Sequence, residues 1–249
     1  MNTSKIPPMK DIQNQIDHRR IDIRKVGVKT VSYPITLRDK AKKEQNTIAT
    51  LNMYVNLPHR FKGTHMSRFI EILNEFHGKI DIRNFHGILE KMKERLDAEA
   101  SHVEMEFPYF FTSDGADGSL ALRQCMVTML GSLAETSDIQ FKLMLPIILP
   151  RLAQTGGNLP RLAGHWGRVE VTVRFKGFIW IEDLLSHIEK GIEAEVAALA
   201  PGDHKALSVE ALVTRIGESL SSLPEVARYS ILVENLGAGY STFATLKST

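Results

Sequence analysis

The chain has 249 residues, 43% of them hydrophobic and 24% charged, with a formal net charge of +2. That balance is enough for a full core and excludes a strongly basic nucleic-acid surface. One cysteine, Cys125, excludes an intramolecular disulfide and a cysteine-rich zinc site.

Residues 1–20 (MNTSKIPPMKDIQNQIDHRR) are polar and read as a flexible N-terminal arm without the apolar segment of a secretory signal. No apolar run approaches the ~18–20 residues of a membrane span, so no membrane and no nucleic-acid partner is expected, and the setting is cytoplasmic. Residues 27–36 and 47–56 read as strands, the second with Ala49, Leu51, Met53 and Val55 on one face. Two helices follow. The first, about 64–76, is expected to bury Met66, Phe69, Ile70, Leu73 and Phe76; the second, about 84–98, to bury Phe85, Ile88, Leu89, Met92 and Leu96.

The run HVEMEFPYFF alternates Val103, Met105 and Phe107 inward, and LALRQCMVTML continues as a strand after the turn residues TSDGADGS. Strands near 138–148 and 168–176 come next, separated by the irregular stretch 149–167. A helix at about 180–198 carries Leu184, Leu185, Ile188 and Ile192, and one at about 207–222 carries Val209, Leu212, Val213, Ile216 and Leu220. Strands at about 227–235 and 240–247 close the chain. The order β-β-α-α-β-β is thus read twice, with the break near residue 134. An α+β fold is predicted, with antiparallel sheets carrying helices on one face: a first module at 21–134 and a second at 135–249. The bare faces and open edges of such sheets call for closure into a barrel by oligomerisation.

Several runs carry a resemblance. KGTHMSRFIEIL (62–73), LNMYVNLPHRF (51–61) and RKVGVK (24–29), with HVEMEFPYF (102–110) and RFKGFIWIEDLL (174–185), resemble the GTP cyclohydrolase IB family of the tunnelling-fold superfamily. The resemblance covers nearly the whole chain and weakens after about residue 112. It implies a bimodular tunnelling fold and a homotetramer with sites at subunit interfaces. It also implies a divalent metal (zinc, manganese or iron) and conversion of GTP to 7,8-dihydroneopterin triphosphate and formate in pterin and folate biosynthesis.

The family holds its metal on a Cys, a His and a Glu. Its histidine segment corresponds to LAGHWGRVEV, so His165 matches the metal ligand and Arg168 the following arginine. The Cys-Pro-Cys motif has no counterpart: its ligand falls on Leu149 or Ala153, neither a donor. In the glutamate ligand's place GDHKALS offers His204, and where the family has its proton-transfer histidines the run ENLGAGYSTFATL has Tyr240 and Thr242. The metal is therefore expected on His165 and His204, or absent.

The family's purine-anchoring glutamate matches Glu210, whose carboxylate can take two ring N–H groups at once. Thr64, His65, Ser67 and Arg68, at the start of a helix, match a phosphate or oxyanion site. The catalytic candidates by resemblance are His65, Arg68 and His165; the substrate-binding candidates are Glu210, Thr64, Ser67 and Arg168. His102, Glu104 and Glu106, which share a strand face, read as ligands or as the polar side of a half-buried strand. Two functions stay open: a cyclohydrolase-like enzyme on GTP or a related purine or pterin, and an inactive paralogue that binds such a ligand or joins an active relative.

Overall fold

The computed structural model describes residues 23–40, 43–58, 65–76, 82–114, 120–148, 166–198, 208–236 and 240–248. The strands are β1 (Ile23–Arg38), β2 (Glu44–Leu57), β3 (Ala100–Asp114), β4 (Leu120–Leu133), β5 (Ser137–Ile148), β6 (Trp166–Phe175), β7 (Val226–Leu236) and β8 (Ser241–Lys247). Helices α1 (Ser67–Glu75) and α2 (Ile82–Arg95) fall between β2 and β3, and α3 (Ile181–Ala197) and α4 (Val209–Ser221) between β6 and β7. The β-β-α-α-β-β order read from periodicity is therefore the order observed, twice.

The strands form one eight-stranded sheet in sequence order. Such an order needs only hairpins and helix pairs as connections. The β5–β6, β6–β7 and β7–β8 pairs are antiparallel, with Leu145 opposite Val169 and Val169 opposite Val233. No helix among the described residues is long and apolar enough to cross a membrane.

The chain divides into two compact units. One comprises Met1–Val31, Leu51–Glu104 and Gly131–Asp138; the other comprises Ser32–Thr50, Met105–Leu130 and Ile139–Thr249. In the first, Phe69, Ile72 and Leu73 of α1 and Phe85, Ile88, Leu89 and Met92 of α2 are buried with Leu51, Met53 and Val55 of β2. Gly131 of β4 lies under α2, where an added Cβ would come within 2.5 Å of the Phe85 ring and 2.8 Å of Leu89.

The expected α1 stripe needs correction. Ile72 is buried, whereas Met66 and Ile70 are exposed. The helix begins only at Ser67, so Met66 caps it from outside, and the spacing Phe69–Ile72–Leu73–Phe76 defines a competing stripe on the turned-in face.

In the second unit, α3 and α4 pack against each other, and α4 against β7 and β8. Gly191 of α3 lets the two helices close: a Cβ there would sit 2.8 Å from the Ile216 Cα. Leu184, Leu185 and Ile188 face Leu212, Val213, Ile216 and Leu220 in this core, with Val169, Val171, Val173, Ile231 and Val233 beneath. The alternate strand residues point away from the helices.

Candidate functional site

Helix α4 starts cleanly because Ser208 has an extended backbone and its hydroxyl accepts the Ala211 N–H at 3.0 Å. That places Glu210 in the first turn, where the N-terminal end of the helix dipole favours a carboxylate. The Glu210 backbone carbonyl accepts the Thr214 hydroxyl at 2.9 Å. Its side chain is exposed and its carboxylate has no hydrogen-bond or ion-pair partner among the described residues. A free, oriented carboxylate of this kind can take two adjacent N–H donors of a flat heterocycle.

Arg168 projects from β6 on the face away from the helices, opposite Glu234 in register. Its Nε lies 2.7 Å from Glu234 Oε2, yet that oxygen is buried and accepts no aligned hydrogen bond. The ion pair engages the Arg168 Nε edge, and the Nη groups have no partner among the described residues. Two strand positions away, Lys142 and Glu170 make a second ion pair across the same face at 2.9 Å.

Asn235, next along β7, was passed over in the sequence. It is 6% exposed, and its Oδ1 has no hydrogen-bond partner among the described residues. The signal was legible: ILVEN alternates Ile231, Val233 and then Asn235 on the apolar parity, and an amide there breaks the pattern.

In the other unit, His65, Ser67 and Arg68 gather at the start of α1. No side chain caps this helix. The Arg68 N–H donates to the His65 carbonyl at 3.2 Å and the Phe69 N–H to the Met66 carbonyl at 3.3 Å, so two first-turn donors are already used. The Arg68 guanidinium reaches the Arg95 carbonyl only at 3.5 Å, the weak limit of a hydrogen bond, which leaves its charge available to an anion. Lys91 and Arg95 both pair with Glu75; the hydrogen bond from Lys91 is the main cause holding its carboxyl below the usual range.

The face carrying His102 and Glu104 is occupied internally. His102 stacks on Tyr54 with ring centroids 4.7 Å apart, and Lys25 Nζ lies 3.6 Å from the Tyr54 centroid. Burial, and then the Lys25 charge, lower the His102 pKa. Glu104 accepts the Asn52 amide at 3.0 Å, and Glu106 in the second unit accepts the Thr128 hydroxyl at 3.5 Å. Partners of this kind fit the reading of a half-buried polar strand face.

Of the candidate residues, Thr64, His165 and His204 lie outside the described residues, as do the arm 1–20, the turn residues 115–119 and most of the stretch 149–167. Among the described residues no three His, Cys, Asp or Glu side chains converge as a metal site. Cys125 is buried in β4 and burial pushes its thiol up to about 12, so it is a protonated core residue and a poor metal donor. The positions that the resemblance matches to the Cys-His-Glu set, Leu149 or Ala153, His165 and His204, lie outside the described residues.

A family model described as type I GTP cyclohydrolase folE2 matches residues 9–211. The chain is 41% identical to the GTP cyclohydrolase FolE2 of Syntrophus aciditrophicus over 241 residues, 91% of this chain and 94% of that one. It is 46% identical to that of Geobacter metallireducens over 185 residues, 73% of this chain and 70% of the relative. Among solved structures it is similar to uricase from Arthrobacter globiformis, with TM-score 0.57 and 11% identity over 90% of this chain and 92% of that one. Bacillus sp. TB-90 urate oxidase is similar with TM-score 0.59 and 11% identity over 90% of this chain and 99% of that one. At that identity the likeness shows the fold alone, and the fold is the α+β tunnelling fold expected from the sequence.

Proposed function

Because the chain belongs to the type I GTP cyclohydrolase FolE2 family, we propose that it takes GTP or a closely related purine or pterin as ligand, with Glu210 as the ring anchor. The Glu210 carboxylate carries this reading: it is exposed, has no partner among the described residues, and stands in the first turn of a capped helix. Arg168 is assigned to the substrate through the Nη groups that its ion pair with Glu234 leaves without a partner among the described residues, and His65, Ser67 and Arg68, with Thr64, to the phosphates. In this reading the ring-binding part of the machinery is kept and the usual metal-dependent ring opening is impaired. The sole cysteine, Cys125, is a buried thiol, and the ligands that the resemblance offers are His165 and His204.

The test is direct. Purified protein is analysed for bound metal, for GTP binding, and for a fluorescent pterin formed from GTP. GTP binding that weakens about tenfold or more in Glu210→Gln, as expected for loss of a charged hydrogen-bond acceptor, supports the assignment. A folded protein that binds no GTP overturns it.

The same reading includes a division into modules at 21–134 and 135–249 and assembly into a cytoplasmic homotetramer. In the second unit Leu122, Leu236 and Phe243 are exposed on strand faces that carry no helix, Leu122 by 73% and Phe243 by 66%. Exposed apolar side chains on a sheet favour association. Light scattering is expected to give the mass of a tetramer, and L236E combined with F243E to give smaller species. An unchanged mass in that variant would remove these residues from the interface.

A second reading is favoured by the residues that the resemblance sets at the family's cysteine, glutamate and terminal histidine positions, namely Leu149 or Ala153, His204, and Tyr240 with Thr242. It holds the chain to be an inactive paralogue that binds a purine or pterin, or serves as an assembly subunit for an active relative. Turnover that appears only with such a relative present distinguishes it. GTP turnover by the purified protein alone at ordinary enzyme rates overturns it.

A further inference from the structure

Asn235 is a buried amide placed where the rest of its row is apolar. Ile231, Val233 and Asn235 face the helices from β7, and Asn235 Oδ1 has no hydrogen-bond partner among the described residues. An unpaired buried carbonyl costs folding free energy that a valine in the same row would not. Its register partner in β6 is Gly167, which is buried and brings no side chain to pair with the amide or to fill the space beside it.

The position of α4 over β7 says what lies above Asn235. Helix and strand run antiparallel, joined by residues 222–225. Tyr229 Oη donates to the Gly217 carbonyl at 3.0 Å, and a Cβ on Gly217 would come within 3.7 Å of Ile231 Cδ1. Gly217 therefore stands over Ile231. From Gly217 back to Glu210 the helix rises roughly 10 Å, and from Ile231 on to Asn235 the strand advances roughly 13 Å. The two displacements run the same way, so the first turn of α4, with Glu210, lies toward the Asn235 end of β7.

We propose that Asn235 is a specificity-determining residue: its Oδ1 accepts one N–H of the exocyclic 2-amino group of a guanine or pterin ring anchored on Glu210. This rests on the ring-anchoring reading of Glu210. A guanine-type edge presents the ring N–H and two amino N–H bonds. A carboxylate takes the ring N–H and the amino N–H beside it, and the remaining amino N–H needs a separate acceptor. Asn235 supplies one that nothing else in the described fold uses. The assignment explains why an amide interrupts an apolar row and why its β6 partner is a glycine, while its β8 partner, Thr242, is exposed.

The test compares equilibrium binding of GTP with that of inosine triphosphate, which lacks the 2-amino group, on the full-length protein. Wild type is expected to prefer GTP. Asn235→Val should weaken GTP binding about tenfold, leave inosine triphosphate binding unchanged, and leave the unfolding temperature equal or higher. Asn235→Asp, which keeps an acceptor at the same reach, should retain the preference even if the valine variant fails to fold. Wild type binding both nucleotides equally, or Asn235→Val binding GTP as wild type does, or losing both nucleotides alike, overturns the assignment. If GTP binding is lost in Glu210→Gln but the preference survives in Asn235→Val, the Asn235 inference alone falls. A folded wild type that binds neither nucleotide overturns the Glu210 reading and this inference together.

Discussion

Thr30 holds a β-branched side chain in the left-handed region, at φ 54°. Such a residue pays a steric cost that glycine does not. The strain is held in place locally: the Thr30 N–H donates to Asn52 Oδ1 at 2.9 Å, and the same amide donates on to Glu104 at 3.0 Å. Strain of this kind costs about 1–3 kcal/mol, against about 0.5–1 kcal/mol of extra backbone entropy lost by a glycine. Thr30→Gly is therefore expected to stabilise by about 1 kcal/mol, since the backbone N–H to Asn52 is kept. A fall in the urea midpoint would show that the threonine side chain contributes more than its strain. Cys125 gives a second residue-scale expectation. With its thiol pushed up to about 12, chiefly by burial, it should resist a thiol-specific reagent at pH 8 in the folded protein and react at once in denaturant. Fast labelling of the native state would mean that β4 opens locally.

At the scale of elements, the α3–α4 contact is the most demanding in the second unit. A methyl on Gly191 would sit 2.8 Å from the Ile216 Cα and 3.0 Å from its nitrogen, so backbone rather than a flexible side chain would have to move. Overpacking costs about 1–3 kcal/mol, and alanine's better helix propensity returns about 1 kcal/mol. Gly191→Ala is expected to lower the melting temperature on balance; an unchanged or raised value would mean that the helices separate freely. The strands and helices themselves were legible because strand alternation and the 3.6-residue period are properties of local sequence. Helix α1 was misread on one face because Met66 and Ile70 are apolar yet lie outside the packed stripe, and periodicity cannot choose between overlapping stripes in so short a helix. Of the proposed site, Glu210 and Arg168 were reached through the resemblance alone. Asn235 carried its own signal in the sequence, but its buried oxygen without a partner among the described residues exists only in the folded chain.

For the molecule as a whole, the formal net charge of +2 at pH 7 is small, so general charge repulsion is weak near neutrality. Individual groups then set the pH dependence, and His102 is one whose protonation the fold opposes. Burial lowers its pKa first, and the Lys25 charge lowers it further. The unfolded imidazole titrates near ~6.5, so below that value the unfolded chain takes up a proton that the folded chain resists. The neutral ring's contribution is fully present above ~6.5, is lost as pH falls toward the depressed folded value, and changes no further below it. Lys91 holds Glu75 low in the same sense, but that carboxylate sits on the surface and acts only in the carboxylate range below. Urea midpoints measured from pH 7.5 to pH 5 should therefore decline in wild type. The decline should be shallower in Lys25→Gln, where burial remains as the larger cause, and nearly absent in His102→Gln. Equal slopes in wild type and His102→Gln would place the acid sensitivity elsewhere and leave the Lys25–Tyr54–His102 stack as packing alone.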